Sequence, residues 1–170
     1  VWLYNMKLYK IPIKFNKVTG YFSCHNNFLK TLENSPIEVG SFYCSNNNLT
    51  TLEGGPKIVN DDLDCGFNKL SNLDVSKNIS LNSIRCNENN LLTLNLKNGN
   101  NTNMSNLVVY TTKNPNLNCI QVDNKTYSDI NWLNKDATAS FSENCSKTAA
   151  PIAPPVITAT GNQTYCAGTS

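Results

Sequence analysis

Histidine occurs once in this 170-residue chain, methionine twice and tryptophan twice, and charged residues make up only 15% of it. No His-Glu-x-x-His, Gly-x-Ser-x-Gly or phosphate-loop pattern is present, so the usual sequence signs of metalloprotease, hydrolase or nucleotide chemistry are missing. The net charge is only +2 and the lysines are scattered rather than clustered. The basic patch expected of a nucleic-acid binder is therefore absent. No apolar run approaches the roughly 20 residues that cross a bilayer, so membrane insertion is not expected. Val1 is preceded by neither an initiator Met nor a signal-peptide pattern, and the expectation is a piece cut from a longer protein.

What the chain has in excess is asparagine, about 30 residues. Asn favours turns, tolerates left-handed backbone and weakens helices, so strands and turns should dominate. At 39% hydrophobic residues the chain suits one modest ordered domain, or one domain with a fragment of another. Its order shows in a repeat. Aligned on Cys24, Cys44, Cys65 and Cys86, each copy has an apolar residue two positions earlier: Phe22, Phe42, Leu63 and Ile84. Three positions after each Cys stands Asn27, Asn47, Asn68 or Asn89. Leucines follow at plus five and plus eight, from Leu29 and Leu32 to Leu91 and Leu94.

A period of 20 to 21 residues marks a solenoid, in which no turn buries its apolar edge alone and stacked turns do. The x-L-x-C alternation reads as a short strand, repeated once per rung and stacked into a parallel sheet. The return segments LENSPIEV, LEGGPKIV and LDVSKNIS are too short and too rich in Pro, Gly and Asn for a long helix. Turns and extended chain are expected there, with a second short strand where Leu73, Val75, Leu94 and Leu96 alternate. Upstream, Leu8 and Ile11 occupy the two Leu columns of a truncated rung, leaving VWLYNMKLY at an open solenoid end. Downstream, Met104, Leu107 and Val109, then Leu117, Ile120 and Val122, suggest two further rungs without Cys. YSDINWLNKDATASFSENC breaks the period, with Ser128 as a helix N-cap ahead of Ile130, Trp132 and Leu133.

The copy from Leu81, LNSIRCNENNLLTL, reads LxxLxLxxNxLxxL with Cys in the third apolar slot. It resembles the leucine-rich repeat family, over residues 5 to about 122. The resemblance implies a leucine-rich-repeat solenoid of about six rungs over 1–122, its parallel sheet concave, its convex side turns and short extended segments, and little helix outside the cap. Residues 123–146 are similar to the C-terminal cap of bacterial members. A Pro/Ala linker follows at 147–156. Residues 157–170 resemble the start of an Ig-like or adhesin-type β domain of Bacteroidetes-type surface proteins, within which Cys166 would pair.

The four repeated thiols cannot share a zinc ion, because stacked strands lie about 4.8 Å apart and Cys24 and Cys86 are three rungs removed. Bridges between adjacent rungs are disfavoured because in-register side chains point the same way, holding Cβ atoms too far apart. Cys24, Cys44, Cys65 and Cys86 are expected as a ladder of buried thiols. Asn27, Asn47, Asn68 and Asn89 should satisfy backbone groups at the strand ends. Cys119 and Cys145 bracket the cap and suit a disulfide staple in an exported protein, the alternative being two unrelated buried thiols.

Catalysis finds little support. His25 adjoins Cys24, but strand alternation puts the two side chains on opposite faces. Asp62 and Asp64 share one face, far short of the six to eight oxygens calcium takes. No cofactor, metal or enzyme activity is expected. What remains is the outward stripe: Tyr21, Ser23 and His25; Ser41, Tyr43 and Ser45; Asp62 and Asp64; Ser83, Arg85 and Asn87; Asn106, Val108 and Tyr110. Tyr and Arg are common interface anchors, and solenoids bind through such extended surfaces. The ligand-binding candidates are Tyr21, His25, Tyr43, Asp62, Asp64, Arg85, Asn87 and Tyr110. The expected protein is a secreted or cell-surface, non-enzymatic module binding a protein or a surface glycan. A structural spacer and the targeting module of a larger secreted enzyme are the other readings.

Overall fold

In the computed structural model, residues 1–104 and 108–147 are described. Leu107, Asn106, the linker from residue 148 onward and the expected β domain with Cys166 lie outside the described residues. The chain winds as a parallel β solenoid of about six turns with little helix. Among the described residues the strands are β1 (Lys17–Ser23), β2 (Glu38–Tyr43), β3 (Ile58–Val59), β4 (Asp62–Asp64), β5 (Asn72–Asp74), β6 (Ser83–Arg85), β7 (Thr93–Asn95), β8 (Val109–Tyr110), β9 (Cys119–Gln121) and β10 (Ser140–Ser142), with one α-helix, α1 (Lys125–Asn131).

The larger sheet runs β1-β2-β4-β6-β8, with β3 also paired to β2; the smaller runs β10-β9-β7-β5. Alternation in the sequence sets what faces the space between them. In the larger sheet Phe22, Phe42, Leu63, Ile84 and Val109 stand in one register column, and all are buried. On the return side Leu73 pairs with Leu94 and Leu94 with Ile120. Each such fully buried aliphatic side chain contributes about 1.5–3 kcal/mol. Gly40 lies where β1 bulges between Val18 and Tyr21. A Cβ on it would sit 2.8 Å from the Thr19 carbonyl oxygen, so no other residue fits.

The four thiols form the expected column, free and buried. Leu3 begins the column before Cys24 and Thr111 continues it past Cys86: the Leu3 amide donates to the Ser23 carbonyl as the Cys24 amide donates to that of Tyr43, and the Thr111 amide takes the Asn134 carbonyl. Beside it the asparagines act as rung-to-rung clamps. Asn47 Nδ2 donates to the carbonyls of both Cys24 (3.0 Å) and Cys44 (3.1 Å), and its Oδ1 accepts from the Leu29 amide (2.9 Å). Asn27, Asn68 and Asn89 repeat the pattern. Asn114 adds a fifth member, bonding the carbonyls of Cys86 and Thr111.

Asn114 corrects the expectation of two further rungs. Val109 and Ile120 belong to one rung, with β8 in the larger sheet and β9 in the smaller. The rung is long because a 3-10 turn at Asn101–Asn103 precedes β8. The helix cap is corrected too: α1 is capped by Asn124, whose side chain accepts from the Tyr127 amide. Ser128 lies inside the helix and is buried, as is Trp132, whereas Ile130 and Leu133 are exposed. Asp136 closes the Asn column, its carboxylate accepting from the Lys113 and Asn114 amides. Cys119 and Cys145 are bridged, with their Cα atoms 5.8 Å apart and a sequence separation of 26. Closing a loop of that length restricts the unfolded chain by about 3.5 kcal/mol in the chain-entropy model.

One column has no common residue type. Two positions after each member of the Cys column the backbone is left-handed: Asn5, Asn26, Asn46, Phe67, Glu88 and Lys113 have φ between 53° and 60°. This twist turns the chain out of the strand so that the following Asn points inward. A bulky L-residue pays for that conformation and Asn pays least. Asn46 Nδ2 also bonds Asn26 Oδ1 at 2.7 Å, a side-chain ladder that Phe67 interrupts. Phe67→Asn should therefore raise stability by about 0.5 kcal/mol, seen as a higher urea midpoint. A lower midpoint would show that the half-exposed Phe67 ring contributes more by packing than its backbone costs.

Candidate functional site

The face of the larger sheet turned away from the core carries three register columns. Tyr21 leads to Ser41, and Asp62 to Ser83. Ser23 leads through Tyr43, Asp64 and Arg85 to Tyr110. His25, Ser45 and Asn87 flank them. Of the residues expected here, Tyr21 is exposed and His25, Tyr43, Asp62, Asp64, Arg85, Asn87 and Tyr110 are half-buried. Ser23, Ser41 and Ser83 are buried, contrary to their expected display. A serine is short, and the larger side chains on neighbouring rungs close over it.

The face is tied together across rungs. The Tyr43 hydroxyl donates to Asp62 Oδ2 at 3.0 Å, and Ser45 Oγ to Asp64 Oδ2 at 3.2 Å. The Gly66 amide donates to Asp64 Oδ1. The Arg85 guanidinium lies 5.5 Å from the Tyr110 ring centroid, a cation–π contact. Burial first, and then the Asp62 carboxylate, raises the Tyr43 phenol above its ordinary value of 10.0, so it is protonated at neutral pH and serves as a donor.

Two functional candidates escaped the sequence reading. The Trp2 bridge to Ser23 extends the larger sheet by one position, so Trp2 and Tyr4 project from the same face. Trp2 lies 6.5 Å from Tyr21, and Tyr21 6.2 Å from Tyr43, ring centre to ring centre, with planes within 29° and 23° of parallel. Tyr4 stacks on His25 at 4.9 Å with planes 2° apart. The signal was present: Leu3 fills the Cys slot, and Trp2 and Tyr4 flank it as Ser23 and His25 flank Cys24.

Nucleophilic chemistry is disfavoured at this face. Burial pushes the Cys24 thiol up to about 12, leaving it no thiolate at neutral pH. His25 Nδ1 meets the Ser23 hydroxyl at 2.6 Å, but Ser23 is fully buried and reaches no substrate. Among the described residues no group of three or more His, Cys, Asp or Glu side chains is placed to hold a metal ion, and no helix is long and apolar enough to cross a membrane. A separate groove of about 600 Å³ opens beside edge strand β5, floored by Phe42, Leu63, Leu73 and Val75. It arises because the rungs of Leu32 and Leu52 turn tightly through Asn34 (φ 73°) and Gly54 (φ 82°) where later rungs add a strand. Compared with protein-family models, with curated proteins and with solved structures, the chain matches none.

Proposed function

We propose that this chain is a non-catalytic, leucine-rich-repeat-type binding module of a secreted or cell-surface protein, and that it recognises a protein or a glycan through the outward face of its larger sheet, which forms the concave side. The observation that carries the reading is the face itself. Aromatic rings, two carboxylates and an arginine lie on one continuous surface, held by hydrogen bonds and ring contacts between rungs. A surface held in place before a partner arrives loses little entropy on binding, and Tyr and Arg are the side chains that most often dominate binding energy. The leucine-rich-repeat type rests on the LxxLxLxxN spacing and on the Asn column that bridges successive rungs. Export is supported by the Cys119–Cys145 bridge, since disulfides persist in oxidising compartments.

The test is a screen of the full chain against host and bacterial surface extracts, repeated with Tyr43→Ala, Arg85→Ala and Tyr110→Ala. At least one of the three is expected to weaken capture more than about tenfold. No capture, or capture indifferent to all three changes, would move the assignment to a structural spacer.

A further inference from the structure

The aromatic residues are not spread evenly over this face. Trp2, Tyr21 and Tyr43 form a row that crosses the strands along the direction of stacking, with near-parallel planes. Trp2 and Tyr21 are 63% and 53% exposed. Directly beyond Tyr43 the face becomes polar, with Asp62, Asp64 and Arg85. Both carboxylates are oriented by donors on the protein: Asp62 by the Tyr43 hydroxyl, Asp64 by Ser45 and the Gly66 amide.

We infer that the ligand is an uncharged oligosaccharide lying along this row, its rings against Trp2, Tyr21 and Tyr43 and its hydroxyls on Asp62, Asp64 and Arg85. This rests on the reading of the face as a binding surface and names its ligand class. A sugar ring presents a plate of C–H groups and a rim of hydroxyls, so it needs an apolar plate with oriented acceptors and donors beside it. Trp and Tyr supply such plates at low conformational cost, since each has only two side-chain torsions to fix. A protein anchor instead buries itself in a dry pocket ringed by contacts that exclude water. This row is open, with Trp2 and Tyr21 more than half exposed, and it adjoins carboxylates. Charge complementarity narrows the ligand further. Two carboxylates against one guanidinium disfavour phosphates and uronic acids, and single-stranded nucleic acid would require a cationic groove.

The experiment is calorimetric titration of the full chain with linear neutral hexose oligomers, namely glucans, mannans and galactans, and with their uronic-acid counterparts. At least one neutral member should bind, with the acidic counterpart weaker. Trp2→Ala and Tyr21→Ala should each weaken that binding more than about tenfold, while Tyr21→Phe, which keeps the ring, retains it. Urea midpoints of the variants equal to that of the parent chain exclude loss through unfolding, and if Tyr21→Ala shifts the midpoint, the Trp2→Ala titration decides. A second arm treats the surface extracts with proteinase or with periodate. Capture that survives proteinase and fails after periodate supports the inference. Capture that fails after proteinase and survives periodate overturns the oligosaccharide and leaves the face as a protein-binding site. Absence of capture from untreated extract and of any titration heat overturns both.

Discussion

Raising the pH from 8 to 10 is expected to remove about 5 kcal/mol of folding stability, because four thiols are protonated in the folded chain and ionise only when it unfolds. Burial pushes Cys24 and Cys86 up to about 12. It also raises Cys44 and Cys65 well above the ordinary value of 9.0, with smaller contributions from neighbouring thiols and from Asp64. The folded-state pKa is the higher one, so below pH 9 both states hold these protons and stability is intact. Above pH 9 the unfolded chain releases them and the folded chain keeps them, so stability falls as pH rises toward about 12. Each thiol contributes up to about 1.4 kcal/mol per pH unit in that window. A domain holds only about 5–15 kcal/mol in all, so unfolding between pH 10 and 11 is the expected result. Urea titrations at stepped pH measure the loss, and Cys44→Ala should reduce the slope from four protons to three. A midpoint unchanged up to pH 10 would mean that the thiols ionise in place. Cys44→Ala itself should cost about 1–2 kcal/mol at pH 7 through a small cavity, and chelators should do nothing.

Asn68→Ala is expected to cost about 4 kcal/mol, more than an average core truncation of similar size. The side chain donates to the carbonyls of Cys44 (3.1 Å) and Cys65 (3.2 Å) and accepts from the Leu49 amide (3.0 Å). Removing it strands these groups in the interior, and each unpaired buried group costs about 1–3 kcal/mol. Because Cys44 and Leu49 lie on one rung and Cys65 on the next, the loss also loosens the stack where Cys44 meets Cys65. Asn68→Asp keeps the acceptor but turns an anionic oxygen toward two carbonyl oxygens, so it should be as damaging at neutral pH and milder in acid, where a protonated carboxyl restores one donor. Denaturant unfolding measures both. Asn48→Ala, on the preceding rung and half-exposed, should stay within about 0.5 kcal/mol. A cost below about 1 kcal/mol for Asn68→Ala would mean that water replaces the amide and the column is dispensable.

These two expectations differ in how visible their causes were. The Asn column could be read from spacing alone, because each member needs the same chemistry at the same place in the rung. The left-handed position just before it could not: Asn26, Phe67, Glu88 and Lys113 share a backbone angle and no side-chain type. A constraint on φ is a modest energetic bias, and most residues bear it where the stack demands it. In sequence the rung containing Val109 reads as two, because Thr111 stands in the Cys column and the Asn101–Asn103 turn lengthens the spacing. Asn114 kept its column throughout and was the better marker.

The sequence by itself determined the period and the in-out alternation, and with them the solenoid, the buried thiols and the inward leucines. These are local periodicities, written once per rung, and a one-residue slip would turn every apolar side chain outward. The tertiary structure alone decided which outward residues stay accessible. Ser23, Ser41 and Ser83 are covered and Trp2, Tyr21 and Tyr43 are aligned by what stands on the rung above or below, some 20 residues away in the chain. It also decided that the smaller sheet starts at β5, since only stacking shows that two tight turns leave its edge without a neighbour.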